Sequence, residues 1–432
     1  MHNQNARLQA WVLGVTLSVL LLGSFALTGM IFMNSEKKEN TTPDAPITQT
    51  LDIFRPTQYI YSDEHAKQYL IQHPQTRQLR SIYHLLNKLE FSDVGTKKAS
   101  NQEMLTLLKQ SNTQIFRYSD VIPMQYFNSY YNQDISAKKN FSFDYFVLSL
   151  GSSGSGYFIN TRTHSITTVK VSHVNAVQTR EQLVKSTEKT RVTFGNINQK
   201  ISVFYQDKIH LPTYSYLINR RDPSIYVSAL LGTLNQIDIT TKNQQRTYVN
   251  KITGQSLVYD GNANTVRYRD SDKTRNTVTK YNERMAIAFA QLNLLKINFS
   301  DTRFYENFDD GKKLTFRTIV EGIPVYYQSP SGAITISFDN KGRVTSTYSL
   351  NELGIPVPND GADVTLADTA TVLKELEDAK ISATDYQSIT PGYQWVSNNN
   401  SNAAVDMKPT WMIETHNQWM SLEQFLKEHA KS

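Results

Sequence analysis

A chain of 432 residues with a formal net charge of +6 and no cysteine is long enough to bury several cores, yet it can hold no disulfide framework, no thiolate catalyst and no Cys-ligated metal. Its 24 tyrosines and 19 phenylalanines, set among many Thr, Asn and Gln, favour strands and turns over a helical bundle. Residues 1–275 carry 31 Lys and Arg against 20 Asp and Glu, while residues 276–432 carry 14 against 19, an asymmetry that supports a boundary near 275 without the concentrated basic stripe of a nucleic-acid binder.

Residues 1–9 read as a short cytoplasmic N-terminus, and residues 10–33, AWVLGVTLSVLLLGSFALTGMIFM, as a single transmembrane helix. The stretch is uncharged, and at 1.5 Å per residue its reach of roughly 36 Å exceeds a ~30 Å hydrocarbon core. Arg7 before it and Lys37 and Lys38 after it leave the positive-inside rule undecided. The large polar C-terminal part favours an extracellular C-terminal region. A cleaved signal peptide ending near Ser24-Phe25-Ala26 is the alternative, opposed by an apolar run that continues to Met33. Ala10, Gly14 and Ser18 fall on one face of this helix and form a candidate surface for packing against another transmembrane helix. Residues 34–52 are polar with two prolines and read as a juxtamembrane linker.

An α+β domain is expected over 53–205. Leu79, Ile82, Tyr83, Leu86 and Leu89 trace an amphipathic helix, and Ser100 with Glu103 forms a capping box before a second. Residues 141–171 alternate as a three-stranded meander. Thr179 and Gln182 cap a helix to about Glu188, followed by the strand-like KISVFYQ. A central domain, 206–275, opens with a helix from Asp222-Pro223 to Gly232 and continues through RTYVNKI, SLVYD and TVRYR. Asp260-Gly261-Asn262 marks a hairpin between the last two. The third domain, 276–432, has a helix through Met285–Leu295, four alternating runs between Lys313 and Leu350, and a helix over 367–379. Short strands follow, then a final helix capped by Ser421 and Gln424. Helix followed by antiparallel meander recurs, the plan of helix-on-sheet modules.

Motifs for chemistry mostly fail on spacing. Gly151–Gly156 reads G-x-x-G-x-G with a strand after it, so no helix N-terminus is present to hold phosphate, and a hairpin turn is the better account. S-x-x-K at Ser136–Lys139 and Ser186–Lys189 lacks its K-T-G partner, since Lys251-Ile252-Thr253-Gly254 has one residue too many. The nine histidines show no metal-ligand pairing, and His84 reads as a packed residue beside a helix stripe. Asp270-Ser271-Asp272 begins like a calcium loop but has Arg275 and Tyr281 where Gly and a carboxylate are required. Glu306, Asp309 and Asp310 could supply a carboxylate pair for glycoside chemistry, although an acidic turn ending at Gly311 is the ordinary reading. Tyr130-Tyr131 and Tyr326-Tyr327 read as strand aromatics packing a core. No catalytic, cofactor-binding or metal-binding residue is assigned.

Phe54-Arg55-Pro56, Asp222-Pro223-Ser224-Ile225-Tyr226-Val227, Thr247-Tyr248-Val249, Leu257-Val258-Tyr259, Gly392-Tyr393, Pro409-Thr410-Trp411 and Trp419, together with the N-terminal span, resemble the YycH family across nearly the whole chain. This family comprises regulatory accessory proteins of the WalK (YycG) sensor histidine kinase, which governs cell-wall metabolism. The resemblance implies a three-domain extracytoplasmic region with PepSY-like later domains, partnership with a WalK-like kinase and a YycI-like protein, and no enzymatic activity. It does not imply a sign of regulation. The function expected is that of a membrane-anchored regulator acting by protein contact. The alternative is a wall-associated enzyme or wall-polymer-binding protein.

Overall fold

Aromatic and β-branched runs pair almost wholly antiparallel in the computed structural model, which describes residues 50–72, 76–135, 141–150, 154–172, 189–270, 278–299, 301–327, 333–359, 361, 363–398, 401, 403–415 and 418–429. All of these fall in one compact unit, Thr48–Ser432. The first sheet uses β1 (Gln58–Ser62), β2 (Gln68–Ile71), β3 (Glu90–Lys98), β4 (Thr113–Pro123), β5 (Ser142–Ser149), β6 (Ser155–Asn160), β7 (Ser165–Ser172), β8 (Lys189–Ile197) and β9 (Lys200–Tyr205), in the order β3-β7-β6-β5-β4-β1-β2-β8-β9. Helices α1 (Thr76–Lys88), α2 (Asn101–Leu108) and α3 (Met124–Tyr131) accompany it. Ile82 and Leu86 of α1 are buried at the expected four-residue spacing. The capping box of α2 is present: Ser100 Oγ accepts from Glu103 N, and Glu103 accepts from Ser100 N.

The second part of the chain contributes β10 (Ile209–Leu211), β11 (Tyr214–Arg220), α4 (Ser224–Leu231), β12 (Ile237–Lys242), β13 (Gln245–Asn250), β14 (Ser256–Asp260), β15 (Thr265–Arg269) and α5 (Tyr281–Leu295). It continues with β16 (Thr302–Phe308), β17 (Lys313–Val320), β18 (Ile323–Tyr326), β19 (Ala333–Phe338), β20 (Val344–Ser349), β21 (Asn351–Val357), β22 (Val364–Leu366) and α6 (Thr369–Asp378), and ends with β23 (Ser388–Ser397), β24 (Ala404–Thr415), β25 (Gln418–Ser421) and α7 (Leu422–His429). A 14-stranded sheet runs β12-β13-β14-β15-β20-β19-β17-β18-β23-β24-β11-β21, with β16 on β17 and β25 on β24, while β10 pairs β22. The β18–β23 pair is parallel. Gly392 of β23 is required there: a Cβ on it would lie 2.5 Å from the Tyr326 ring and 2.7 Å from Met412.

The fold is α+β, with antiparallel sheets and packed helices, and the expectation of a transmembrane helix is corrected. No helix among the described residues is long and apolar enough to cross a membrane. The longest, α5, has 15 residues; at 1.5 Å each it reaches about 22 Å against a ~30 Å core. The stretch 10–33 and the contact face Ala10, Gly14 and Ser18 lie outside the described residues. A membrane-anchored, single-pass topology with a cytoplasmic N-terminus is accordingly not carried forward. Strands β1 to β4, β8, β10 to β12, β16, β21 and β22, and helix α3, escape the sequence reading. His84 is exposed on α1 with its ring edge-on to Tyr83, rather than packed. Tyr130 and Tyr131 belong to helix α3, not to a strand.

Phe54 is the apolar pin between the two parts. It is 2 % exposed, stacks on Tyr126 of α3 at 4.0 Å between centroids, and meets Phe289 of α5 at 5.7 Å and Phe304 of β16 at 6.3 Å. Phe54→Ala should therefore lower stability by about 3–5 kcal/mol, through lost burial plus a cavity. Equilibrium urea unfolding checks this, and a loss below about 1 kcal/mol would remove Phe54 from that role.

Candidate functional site

Between the two sheets lies a polar cavity of about 410 Å³. One wall is formed by Gln58 of β1, Arg117 and Asp120 of β4, Asp144 and Tyr145 of β5, and the β8–β9 hairpin with Lys200 and Tyr205. The other is formed by Tyr305, Glu306 and Asn307 of β16, Ser388–Thr390 of β23, Glu414 of β24 and Trp419 of β25. Polar contacts tie the walls together. Asp120 accepts from Arg162 Nη2 at 2.8 Å and from the Asn307 backbone N–H at 2.8 Å, and the same Nη2 donates to the Asn307 carbonyl at 2.7 Å. Lys200 Nζ meets Glu414 at 2.8 Å, and the Tyr205 backbone N–H donates to Thr369 Oγ1 at 2.8 Å. Tyr281 at the start of α5 donates its hydroxyl to the Val121 carbonyl.

Within the cavity, Arg117 donates Nε to the Tyr145 hydroxyl at 3.2 Å and Nη1 to Gln58 Oε1 at 2.9 Å, and Gln58 Nε2 donates to the Tyr205 hydroxyl at 3.2 Å. Burial works against the Arg117 charge, yet the surrounding tyrosines, Tyr145 first, leave its pKa above the ordinary value. Asp144 is buried. Desolvation pushes its carboxyl up to about 6, against the bonds it accepts from the Thr161 N–H and hydroxyl. Burial likewise raises Glu306, opposed by Arg317 at 3.5 Å and by the Trp419 indole N–H, and reinforced by Glu414. Arg317 lies over the rings of Tyr326 and Tyr305, at 4.5 and 5.2 Å. Such stacking suits a weakly hydrated guanidinium.

The carboxylates singled out in sequence part company here. Glu306 sits in strand β16 as a buried residue, and Asp309 and Asp310 occupy the β16–β17 turn with φ of 48° and 53°. Asp309 pairs with Lys312 at 2.7 Å, which holds its pKa below the usual range. The acidic cluster is thus one buried ion pair and one turn rather than an acid–base couple. Gly154 and Gly156 flank the β5–β6 connection, with YFIN in strand β6 as expected, while residues 151–153 lie outside the described residues, as do Ser136–Lys139, Ser186 and residues 271–277. Lys189 donates to the Tyr61 hydroxyl at 3.2 Å and stands over the Tyr69 ring. Among the described residues no group of three or more His, Asp or Glu is placed to hold a metal. Sequence reasoning missed Arg117, Asp120, Asp144 and Lys200, which share no motif and meet only through tertiary packing.

Comparison with known proteins divides the chain between residues 188 and 200, within the first sheet. Residues 15–188 match the family profile described as YycH protein, N-terminal domain, and residues 200–429 match YycH protein, C-terminal domain. Among solved structures, the chain is similar to the crystal structure of YycH from Bacillus subtilis, with a TM-score of 0.67 at 13 % identity, over 86 % of this chain and 96 % of that one. No curated protein sequence matches.

Asp144 makes stability depend on pH. Its folded-state pKa lies above the unfolded value, so between about pH 4 and 6 the native state keeps a proton that the unfolded chain has released. Stability therefore falls as pH rises through that window, by up to ~3 kcal/mol for a shift of about two units. Asp144→Asn, which retains an acceptor for the Thr161 N–H, should match the parent near pH 4 and exceed it by about 1–3 kcal/mol at pH 7.5 in urea unfolding. A difference that does not vary with pH would contradict this account.

Proposed function

We propose a regulatory function from one premise: the chain belongs to the YycH family, whose two profiles together span nearly its whole length. Like its family, it is a non-catalytic accessory protein, and its target is a two-component sensor kinase of the WalK type, reached by protein–protein contact. A YycI-like protein is its second partner. The observation that carries this reading is the pair of adjacent matches, N-terminal and C-terminal, in the family's own order. Membrane anchoring forms no part of it.

A partner alters a kinase only through different contact free energies with its active and inactive states. A coupling of about 1–3 kcal/mol would change activity roughly 5- to 150-fold, with either sign allowed. The wall-enzyme alternative has no geometric support in the carboxylates that suggested it, because Glu306 is engaged by Arg317 and Trp419 and Asp309 by Lys312.

The test is to reconstitute the cognate sensor kinase in nanodiscs and add the purified full-length chain, alone and with the YycI-like protein. Autophosphorylation should rise or fall severalfold, and the chain should co-elute with the kinase. Unchanged autophosphorylation together with separate elution would refute the regulatory reading.

A further inference from the structure

We propose that the cavity between the two sheets is a binding site for a small organic carboxylate, anchored by Arg117 with the hydroxyls of Tyr145 and Tyr205. The inference goes beyond the regulatory reading and does not depend on it. It rests on how charges and hydrogen bonds balance inside the cavity.

Each lining acid but one is already matched by a cation. Asp120 is held by Arg162, Glu414 by Lys200, Glu306 by Arg317 and Asp309 by Lys312. Asp144 has both oxygens engaged by Thr161, and burial pushes its carboxyl up to about 6, so it opposes an incoming anion less than a surface carboxylate would. Arg117 is the converse case. Among the described residues it makes no ion pair; its hydrogen-bond partners are the neutral Tyr145 and Gln58, bonded through Nε and Nη1, and Asp144 acts on it only through space. The Tyr145 hydroxyl accepts from Arg117 and the Tyr205 hydroxyl accepts from Gln58, so each keeps its own proton with no acceptor among the described residues.

The connected set Tyr145–Arg117–Gln58–Tyr205 is therefore rich in donors and carries one positive charge at a cavity wall. A planar guanidinium beside two hydroxyls suits the two coplanar oxygens of a carboxylate. A single unmatched cation, with Asp144 nearby, favours a monoanion over a dianionic phosphate. The volume of about 410 Å³ accommodates a molecule larger than acetate. Tyr305 and Trp419 line the same space and offer apolar surface to its body.

Such a carboxylate could be a free small molecule or the C-terminal end of a peptide, and the probes separate these sources. Isothermal titration of the full chain with N-acetylglycine and with acetyl-trialanine, each compared with its C-terminal amide, should show binding of at least one acid and at least tenfold weaker binding of its amide. The acid that binds more tightly identifies the source. Arg117→Gln should weaken binding at least tenfold. Because Arg117 is partly buried and its loss could disturb folding, Gln58→Glu provides the second test. It places a carboxylate where an amide oxygen already accepts from Nη1, so it should neutralise the guanidinium and abolish binding while the melting temperature stays level or rises. Absence of binding by both acids at 10 mM, equal binding of acid and amide, or unaltered binding by a folded Gln58→Glu variant would overturn the proposal.

Discussion

The arrangement of the two sheets depends on one buried-edge contact, the Asp120 carboxylate grasped by Arg162 and by the backbone of Asn307. It joins β4, the β6–β7 turn and β16, three segments far apart in the chain. The ion pair itself contributes little, since Arg162 is 41 % exposed and such pairs are worth about 0–1 kcal/mol. Its importance is geometric. Arg162 donates to both Asp120 and the Asn307 carbonyl, while Asn307 donates back to Asp120, a closed set that fixes distance and angle together. The apolar pin at Phe54 then supplies burial where the polar clasp supplies register.

Around this clasp the cavity wall is polar on both sides, unusual for a surface that two packed sheets could have closed with aliphatic side chains. Burial of Asp144 and Glu306 there opposes their ionisation; Thr161 engages the first and Arg317 the second. Two of the cavity's contacts, Lys200 with Glu414 and Asp120 with the Asn307 amide, exist only where both walls meet.

Much of the fold was legible because its cues are local. The stripe of α1, the capping box of α2, the β5–β7 meander and the Asp260 turn, where Asp260 accepts from Asn262 and Ala263, are each written in contiguous sequence. The missed strands show where local cues fail. In β12 only Ile237 is buried, so no apolar alternation exists to read. In β16 a register shift between Phe304 and Glu306 breaks the period of two and leaves Glu306 looking like part of the acidic turn that follows. In β8, Thr190, Val192 and Phe194 do alternate inward, a signal available in sequence and passed over. The site was not legible: Arg117, Asp144, Lys200 and Glu414 are brought together by strand order alone, and each by itself is an unremarkable polar residue in a strand. The transmembrane expectation is corrected on length and hydropathy, since no helix among the described residues is long and apolar enough to cross a membrane.

The cavity also bears on whether the parts of this chain are interchangeable. Its walls are drawn from residues 58–205 on one side and 305–419 on the other, so the first wall joins residues of the N-terminal profile to Lys200 and Tyr205 of β9, which fall within the C-terminal one. A hybrid joining the front of this protein to the back of a relative would divide the first sheet between β8 and β9, and could leave Asp120 without its Asn307 amide or Gln58 without the Tyr205 hydroxyl.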